Sequence, residues 1–375
     1  MRYFLVVGET SGDQHAAALM RGLMAVDAQA EFAYLGGDAM AAVAPGMVLH
    51  CRELAIMGFW EVLAGLRRVL ANLRKCLRAI EDFRPDAVIL VDFPGFNLRV
   101  AKACRARGLR VFYYIAPKVW AWKERRVEQL RAYVDRLFII FPFEVEYFRR
   151  KDIAAIYEGN PLLDELDTSP PAQDEREEFC ARHSLDGRPK VALLPGSRVQ
   201  EIRATLRRMG NLSVDYPAYQ FVVAAAPSIS EEEYAHILGE FPDLAIVYGD
   251  TPGLMRHSVA GVVTSGTATL EAALLGLPEV VVYRANPISM AIARRLVKLQ
   301  WVSLVNLVLN RECVRELLQE DFNASALRSE LGRILPGGDR RDGMLGQFRE
   351  LAEMLGGPGA SMRVAERMYG LLTEV

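Results

Sequence analysis

Ser265-Gly266-Thr267-Ala268-Thr269-Leu270-Glu271 stands one residue beyond the apolar run 260–263. An apolar run that gives way to small hydroxyl and glycine residues, and then to a helix-forming stretch ending in an acid, reads as a strand, a tight turn and a helix. Such a helix start offers unpaired N–H groups and a partial positive charge, which suit a diphosphate. Gly266 lets the backbone approach an anion closely, while Ser265, Thr267 and Thr269 can donate hydroxyl hydrogen bonds. Ala268 keeps the first turn small. Glu271, about one turn into the helix, is placed to accept hydrogen bonds from a ribose diol. The stretch predicts a nucleotide site in the second half of the chain.

The first half carries a different loop. The apolar run 2–7 leads into Gly8-Glu9-Thr10-Ser11-Gly12-Asp13, which fits neither G-x-G-x-x-G nor a Walker loop. Each half therefore has a loop at the carboxyl end of a strand, where ligands bind in open α/β sheets. Around these loops apolar runs alternate with amphipathic segments. Strands are expected at 2–7, 32–35, 87–91, 110–115, 137–140 and 154–157, then at 190–194, 220–225, 244–248, 260–263 and 279–283. Helices are expected at 16–25, 96–107, 199–209, 230–239 and 268–275, with a last one at 361–372. Strands rich in Val, Ile and Leu that alternate with helices predict parallel sheets covered on both faces.

At 375 residues the chain exceeds one comfortable core, so two domains are expected. The stretch 162–172, with Pro161, Pro170 and Pro171 and several acids, is the best linker candidate. The fold class expected is α/β, with two Rossmann-like domains facing a cleft: 1–165, 166–340, and a helical segment 341–375 returning to the first domain or to a partner subunit. Charge is near balance, 45 basic against 47 acidic residues, which argues against non-specific nucleic-acid binding. Five scattered cysteines without a C-x-x-C pair read as thiols of a reducing compartment. No run approaches the ~18 apolar residues of a membrane span, and the N-terminus does not read as a signal peptide. A cytoplasmic chain is expected. No D-x-D pair is present and the five histidines are far apart, so no metal and no cofactor are expected.

Seven blocks identify a family. They are 8–13, Asp92-Phe93-Pro94-Gly95-Phe96-Asn97, the stretch 114–122 with Trp120 and Trp122, Pro142-Phe143-Glu144, Leu194-Pro195-Gly196-Ser197-Arg198, the 265–271 block, and Val302-Ser303-Leu304-Val305-Asn306. In this order they resemble the lipid-A-disaccharide synthases, inverting glycosyltransferases of the two-Rossmann (GT-B) type. Two departures from the family pattern stand out: Asn160 where many members carry His, and Val305 where Pro is usual.

The resemblance implies a reaction. UDP-2,3-diacylglucosamine would give its sugar to the 6-hydroxyl of 2,3-diacylglucosamine 1-phosphate (lipid X), forming a β(1→6) tetraacyl disaccharide 1-phosphate and UDP. It also implies a homodimer with exchanged C-terminal segments. An inverting transfer needs a base for the acceptor proton and positive character at the departing diphosphate. Asp92, at the end of the strand 87–91, is the candidate base; the competing reading makes it the cap of the helix beginning near Phe96. Arg198, behind the Pro195-Gly196-Ser197 turn, is the candidate for the leaving group, against a reading in which it merely pairs with Glu201. Gly196 and Ser197 join the donor site, and Tyr283, Arg284 and Asn306 are assigned to it by resemblance alone. Glu9, Ser11, Gly12, Asp13, Asn97, Trp120 and Trp122 are expected on the acceptor side. His15 reads as a surface or cap residue.

Acylated substrates imply a membrane-facing surface. Phe59, Val62, Leu63, Leu66, Val69, Leu70, Leu73, Leu77 and Ile80 recur at helical spacing with Arg67, Arg68, Arg74, Lys75 and Arg78 between them. Phe59, Trp60, Leu63, Leu66, Arg67 and Leu70 are the candidate contacts with the inner face of the inner membrane, on a peripherally attached protein. The competing reading is a helix packed on the sheet with a basic solvent face. Rival functions are a UDP-sugar epimerase or hydrolase, another GT-B transferase, or a non-catalytic sugar-nucleotide or lipid-binding protein.

Overall fold

The structure is a computed structural model that describes residues 1–54, 62–121, 124–166, 173–284 and 300–374, with the backbone alone described at 62–67 and 173–174. It forms two compact units, Met1–Glu165 with Leu355–Val375, and Leu166–Met354. The expected linker falls largely on 167–172, outside the described residues.

The first unit holds a seven-stranded sheet of β1 (Arg2–Val7), β2 (Glu31–Gly36), β3 (Met47–His50), β4 (Ala87–Val91), β5 (Val111–Tyr114), β6 (Arg136–Ile139) and β7 (Ala155–Tyr157), in the order β3-β2-β1-β4-β5-β6-β7. Every pairing is parallel. Alternation along β1 shows why the run is continuously apolar. Phe4 and Val6 enter one core layer, while Tyr3, Leu5 and Val7 enter the other. The first layer is closed by the helices Val62–Phe83 and Pro94–Arg105 through Ile80, Val100 and Cys104. The second is closed by Thr10–Val26 and by the last helix, Ala360–Thr373, through Leu19, Leu23, Val364 and Met368. Asp164 fastens that last helix by accepting the N–H groups of Gly359, Ala360 and Ser361 at 2.5, 3.1 and 2.7 Å. The helix Arg341–Met354, by contrast, stays with the second unit.

The second unit repeats the plan with β8 (Lys190–Leu194), β9 (Gln220–Ala224), β10 (Ala245–Val247), β11 (Ser258–Thr264), β12 (Glu279–Tyr283) and β13 (Arg315–Leu318), all parallel, in the order β10-β9-β8-β11-β12-β13. In each sheet the order reverses direction once beside the first strand, between β1 and β4 and between β8 and β11. Those two gaps are the topological switch points, where side chains at strand ends meet an open crevice. Among the described residues no helix is long and apolar enough to cross a membrane.

Candidate active site

At the switch point of the second unit lies a cavity of about 480 Å³. Its wall includes Leu194 from the end of β8, Thr264 from the end of β11, and Tyr283 from the end of β12. Two helices begin at it. Val199–Met209 starts behind Gly196, Ser197 and Arg198, and Thr267–Leu274 starts behind Ser265 and Gly266. Their first N–H groups have no intrahelical partner, which makes the cavity a natural anion holder. Gly196 sits at φ +115°, and a Cβ there would stand 2.5 Å from Glu201 Oε2. Glu201 in turn accepts the Ser197 N–H at 3.3 Å, so one donor of this loop is already occupied. Arg198 is exposed and has no ion-pair partner among the described residues; its pairing with Glu201 does not form. Thr264 is part of the cavity wall, and its hydroxyl oxygen is buried with no hydrogen-bond partner among the described residues.

Of the residues assigned to the donor, Gly196, Ser197, Ser265, Gly266, Thr267, Ala268 and Tyr283 line this cavity together with Arg198. Four do not. Thr269 is fully buried and its hydroxyl donates to the Gly266 carbonyl at 2.9 Å, so it shapes the turn. Asn306 is fully buried: Nδ2 donates to Val314 O and to Glu316 at 2.9 and 3.0 Å, and Oδ1 accepts from Cys313 N and Val314 N at 2.8 and 3.0 Å. Its donor and acceptor capacity is spent on the chain reversal before β13, and Glu316 also accepts the N–H groups of Val302 and Ser303. Glu271 is half-buried and Arg284 exposed, both outside the lining. Sequence reading missed Thr251 and the Ala224–Ala226 corner, which complete the wall. The Asp250-Thr251-Pro252 helix start was a legible signal for the first.

The first unit builds its switch point from the loops after β1 and β4. Asp92 has φ +42° and Phe93 φ +46°, both left-handed, and Ile115 beyond β5 has φ +60°. Such values are uncommon for non-glycine residues and costly for a β-branched one, and they concentrate at functional edges. The surroundings over-determine them. The Asp92 carbonyl accepts from Tyr113 Oη at 2.6 Å and Asn97 Nδ2 at 2.8 Å, and the Asp92 N–H donates to Tyr114 O at 3.1 Å. Phe93, not Asp92, is the cap of Pro94–Arg105, so the capping reading of Asp92 fails. The Asp92 carboxylate reaches solvent yet is crowded by protein on its other sides. That crowding, with the Glu9 carboxylate, raises its pKa above the usual carboxylate value, against the opposing pull of Lys118, the Phe93 N–H and His15.

Two residues expected on the acceptor side hold the fold instead. Asn97 is fully buried, and its amide also reaches the carbonyls of Val6 and Val91 at 3.3 and 3.1 Å, tying β1 to β4. Asp13 is buried and accepts the N–H groups of Gly37, Ala39 and Met40 at 2.6, 2.9 and 3.3 Å. Glu9 and Ser11 are exposed at the start of Thr10–Val26, while Gly12 is buried against Val7. His15 lies 2.6 Å from Glu165. Trp120 is half-buried and donates its indole N–H to Glu144; Trp122 lies outside the described residues.

Gly8 explains how Asp92 is aimed. A Cβ on Gly8 would come within 2.2 Å of the Phe93 ring. Gly8→Ala should therefore push Phe93 away, release the left-handed Asp92–Phe93 pair, and cost about 1–3 kcal/mol of stability. Thermal unfolding alongside a transfer assay checks this, and wild-type behaviour in both would show that the ring moves freely.

On the helix Val62–Phe83, Val69, Leu73, Cys76, Leu77 and Ile80 turn to the core, while Arg68, Leu70, Arg74, Lys75 and Arg78 are exposed. Much of the apolar stripe is thus ordinary packing. Phe59 and Trp60, and the side chains of Leu63, Leu66 and Arg67, lie outside the described residues.

Two parallel sheets of seven and six strands, each with loops gathered at a switch point, and in the second a cavity at which two helices begin, define the two-Rossmann (GT-B) fold class. A solved UDP-GlcNAc 2-epimerase from Neisseria meningitidis, bound to UDP-GlcNAc, shares this fold with a TM-score of 0.63 over 100% of both chains at 13% identity. The family model described as lipid-A-disaccharide synthetase matches residues 3–351. The lipid-A-disaccharide synthase of Myxococcus xanthus is 39% identical over 99% of this chain and 97% of its own, and that of Acidobacterium capsulatum 36% over 96% and 92%. The chain belongs to the lipid-A-disaccharide synthetase family and is a UDP-sugar-dependent, inverting glycosyltransferase.

Proposed function

We propose that the second-unit cavity holds the UDP of UDP-2,3-diacylglucosamine and that Asp92 activates the 6-hydroxyl of lipid X. The observation that carries this reading is the cavity itself, where two helix starts, the uncommitted Arg198 and the unpartnered Thr264 hydroxyl converge at a switch point. In the reaction the acceptor oxygen bonds to C1 of the donor sugar and its proton passes to the Asp92 carboxylate. The C1–O bond to the diphosphate breaks, with inversion, and the electron pair leaves on UDP. Arg198 and the N–H groups at the start of Thr267–Leu274 support the charge that develops there. A raised pKa at Asp92 suits a base working near neutral pH. Glu9, Ser11 and Trp120 are assigned to the acceptor, and Tyr283 to the donor.

The test is thin-layer analysis of purified protein with radiolabelled lipid X and UDP-2,3-diacylglucosamine. A tetraacyl disaccharide 1-phosphate supports the reading. UDP release without disaccharide, or an altered donor sugar, would place the chemistry with hydrolases or epimerases.

The same reading includes peripheral attachment to the cytoplasmic face of the inner membrane, supported by exposed Leu70 among Arg68, Arg74, Lys75 and Arg78. Replacing Trp60, Leu63 and Leu66 together by serine should release the protein from anionic liposomes, and unchanged sedimentation would count against it. A homodimer that exchanges the segment Leu355–Val375 completes the proposal; a monomer mass by light scattering would remove it.

A further inference from the structure

We propose that Ser228 is a positioning residue of the donor site, fixing the turn 195–198 so that Arg198 meets the departing diphosphate. The inference rests on the reading that the second-unit cavity holds UDP and that Arg198 supports its charge. Ser228 itself does not line the cavity. It lies in the loop after β9, and its hydroxyl donates to the Ser197 carbonyl, in the loop after β8, at 3.0 Å. The bond joins two loops that both contribute to the cavity wall, through 196–198 on one side and 224–226 on the other.

Both ends of this bond are held. On the Ser228 side, the Ile229 N–H closes a turn on the Ala226 carbonyl at 3.1 Å, and the Ala226 N–H donates to the Oη of fully buried Tyr234 at 2.8 Å. Pro227 restricts the backbone between them. The helix that follows, Glu231–Leu238, is capped by Ser230, whose hydroxyl accepts the Glu233 N–H at 3.2 Å. Local structure thus draws on Ser230 and leaves the Ser228 hydroxyl to reach the other loop. On the Ser197 side, Glu201 accepts the Ser197 N–H at 3.3 Å. The Ser197 carbonyl and the Arg198 N–H belong to one planar peptide, so tying the carbonyl to Ser228 sets the plane from which Arg198 leaves the chain. Arg198 stands at the N-cap of Val199–Met209 and has no acceptor to offer that helix, so its guanidinium is left for a ligand. The helices behind the two loops are joined separately by Arg203 and Glu233, 2.7 Å apart. Losing the Ser228 bond would therefore loosen the turn without parting the helices.

Ser228 is exposed, and an exposed hydrogen bond between neutral groups adds little to stability because water can replace it. Ser228→Ala should therefore fold with an unchanged melting temperature. It should bind UDP about fivefold more weakly in calorimetry and lower kcat about fivefold, with the KM for lipid X unchanged. Ser228→Thr, which keeps the hydroxyl, should return both quantities to within about twofold of wild type. In an Arg198→Ala background the Ser228→Ala change should cost less than about twofold, because the group it positions is gone. Wild-type UDP affinity and kcat in Ser228→Ala, a loss that Ser228→Thr does not recover, or losses that multiply with Arg198→Ala would each overturn the proposal. A wild-type protein that binds UDP but makes no disaccharide would count against the assigned reaction and leave the calorimetric comparison to decide on Ser228. One that binds no UDP would sink the donor-site reading, and this inference with it.

Discussion

Asp92→Asn should lower kcat by about 10²–10⁴-fold while leaving KM for both substrates within a few-fold. Asparagine is the informative replacement because the position has φ +42°. Asn tolerates the left-handed region better than Ala, so the loop and its Asp92 carbonyl contacts to Tyr113 and Asn97 survive while the base is lost. Alanine would mix the chemical loss with relaxation of the backbone. The pH dependence gives an independent check. A base works when deprotonated, so kcat/KM should rise with pH through the Asp92 pKa. Crowding and Glu9 place that limb above the usual carboxylate range. In Asp92→Asn the limb should vanish. A variant with kcat within a few-fold of wild type, its acid limb intact, would leave Asp92 as a residue that orients the acceptor and would move the base elsewhere.

The central strands were legible because they are buried on both faces. β1, β4, β8 and β12 coincide with the apolar runs 2–7, 87–91, 190–194 and 279–283. β3 and β13 were not foreseen. Each is an edge strand with a single buried residue, so Met47–His50 and Arg315–Leu318 carry no continuous apolar run. The motif blocks located both loop clusters, since a loop's position after a strand follows from chain order. They did not reveal which polar side chains face a ligand. Asp13, Asn97, Thr269 and Asn306 sit inside the motifs yet spend their hydrogen bonds within the fold, on backbone N–H and carbonyl groups and, for Asn306, also on the Glu316 carboxylate. A short polar residue that closes a turn and one that meets a phosphate are the same letter in sequence, and only burial separates them. Thr264 shows the converse: it lies just beyond the expected strand 260–263 and drew no assignment, and its buried, unpartnered hydroxyl in the cavity wall emerges only in three dimensions.

Glu279→Gln should stabilise the second unit, by an amount that grows with pH. Glu279 opens β12, is fully buried, and neither carboxyl oxygen has a hydrogen-bond partner among the described residues. Burial alone pushes its pKa well above the ordinary carboxylate value, so the folded protein keeps the proton. The unfolded chain releases it above about pH 4.3. Between that pH and the folded pKa the native state binds one more proton than the unfolded state, so stability falls by about 1.4 kcal/mol per pH unit as pH rises. Glutamine carries no such proton. The advantage of the variant should therefore be small near pH 4.5 and widen as pH rises toward the folded pKa, each pH unit of that window moving the melting temperature of a unit this size by about 3–6 °C. Paired melting curves across that range decide the matter. A gap that stays constant with pH would mean that Glu279 is ionised in the fold, with a cationic partner or water beside it. The position lies at the opposite end of β12 from Tyr283 and the cavity. Transfer activity should consequently be unchanged in Glu279→Gln, which separates a cost carried by the fold from one carried by the site.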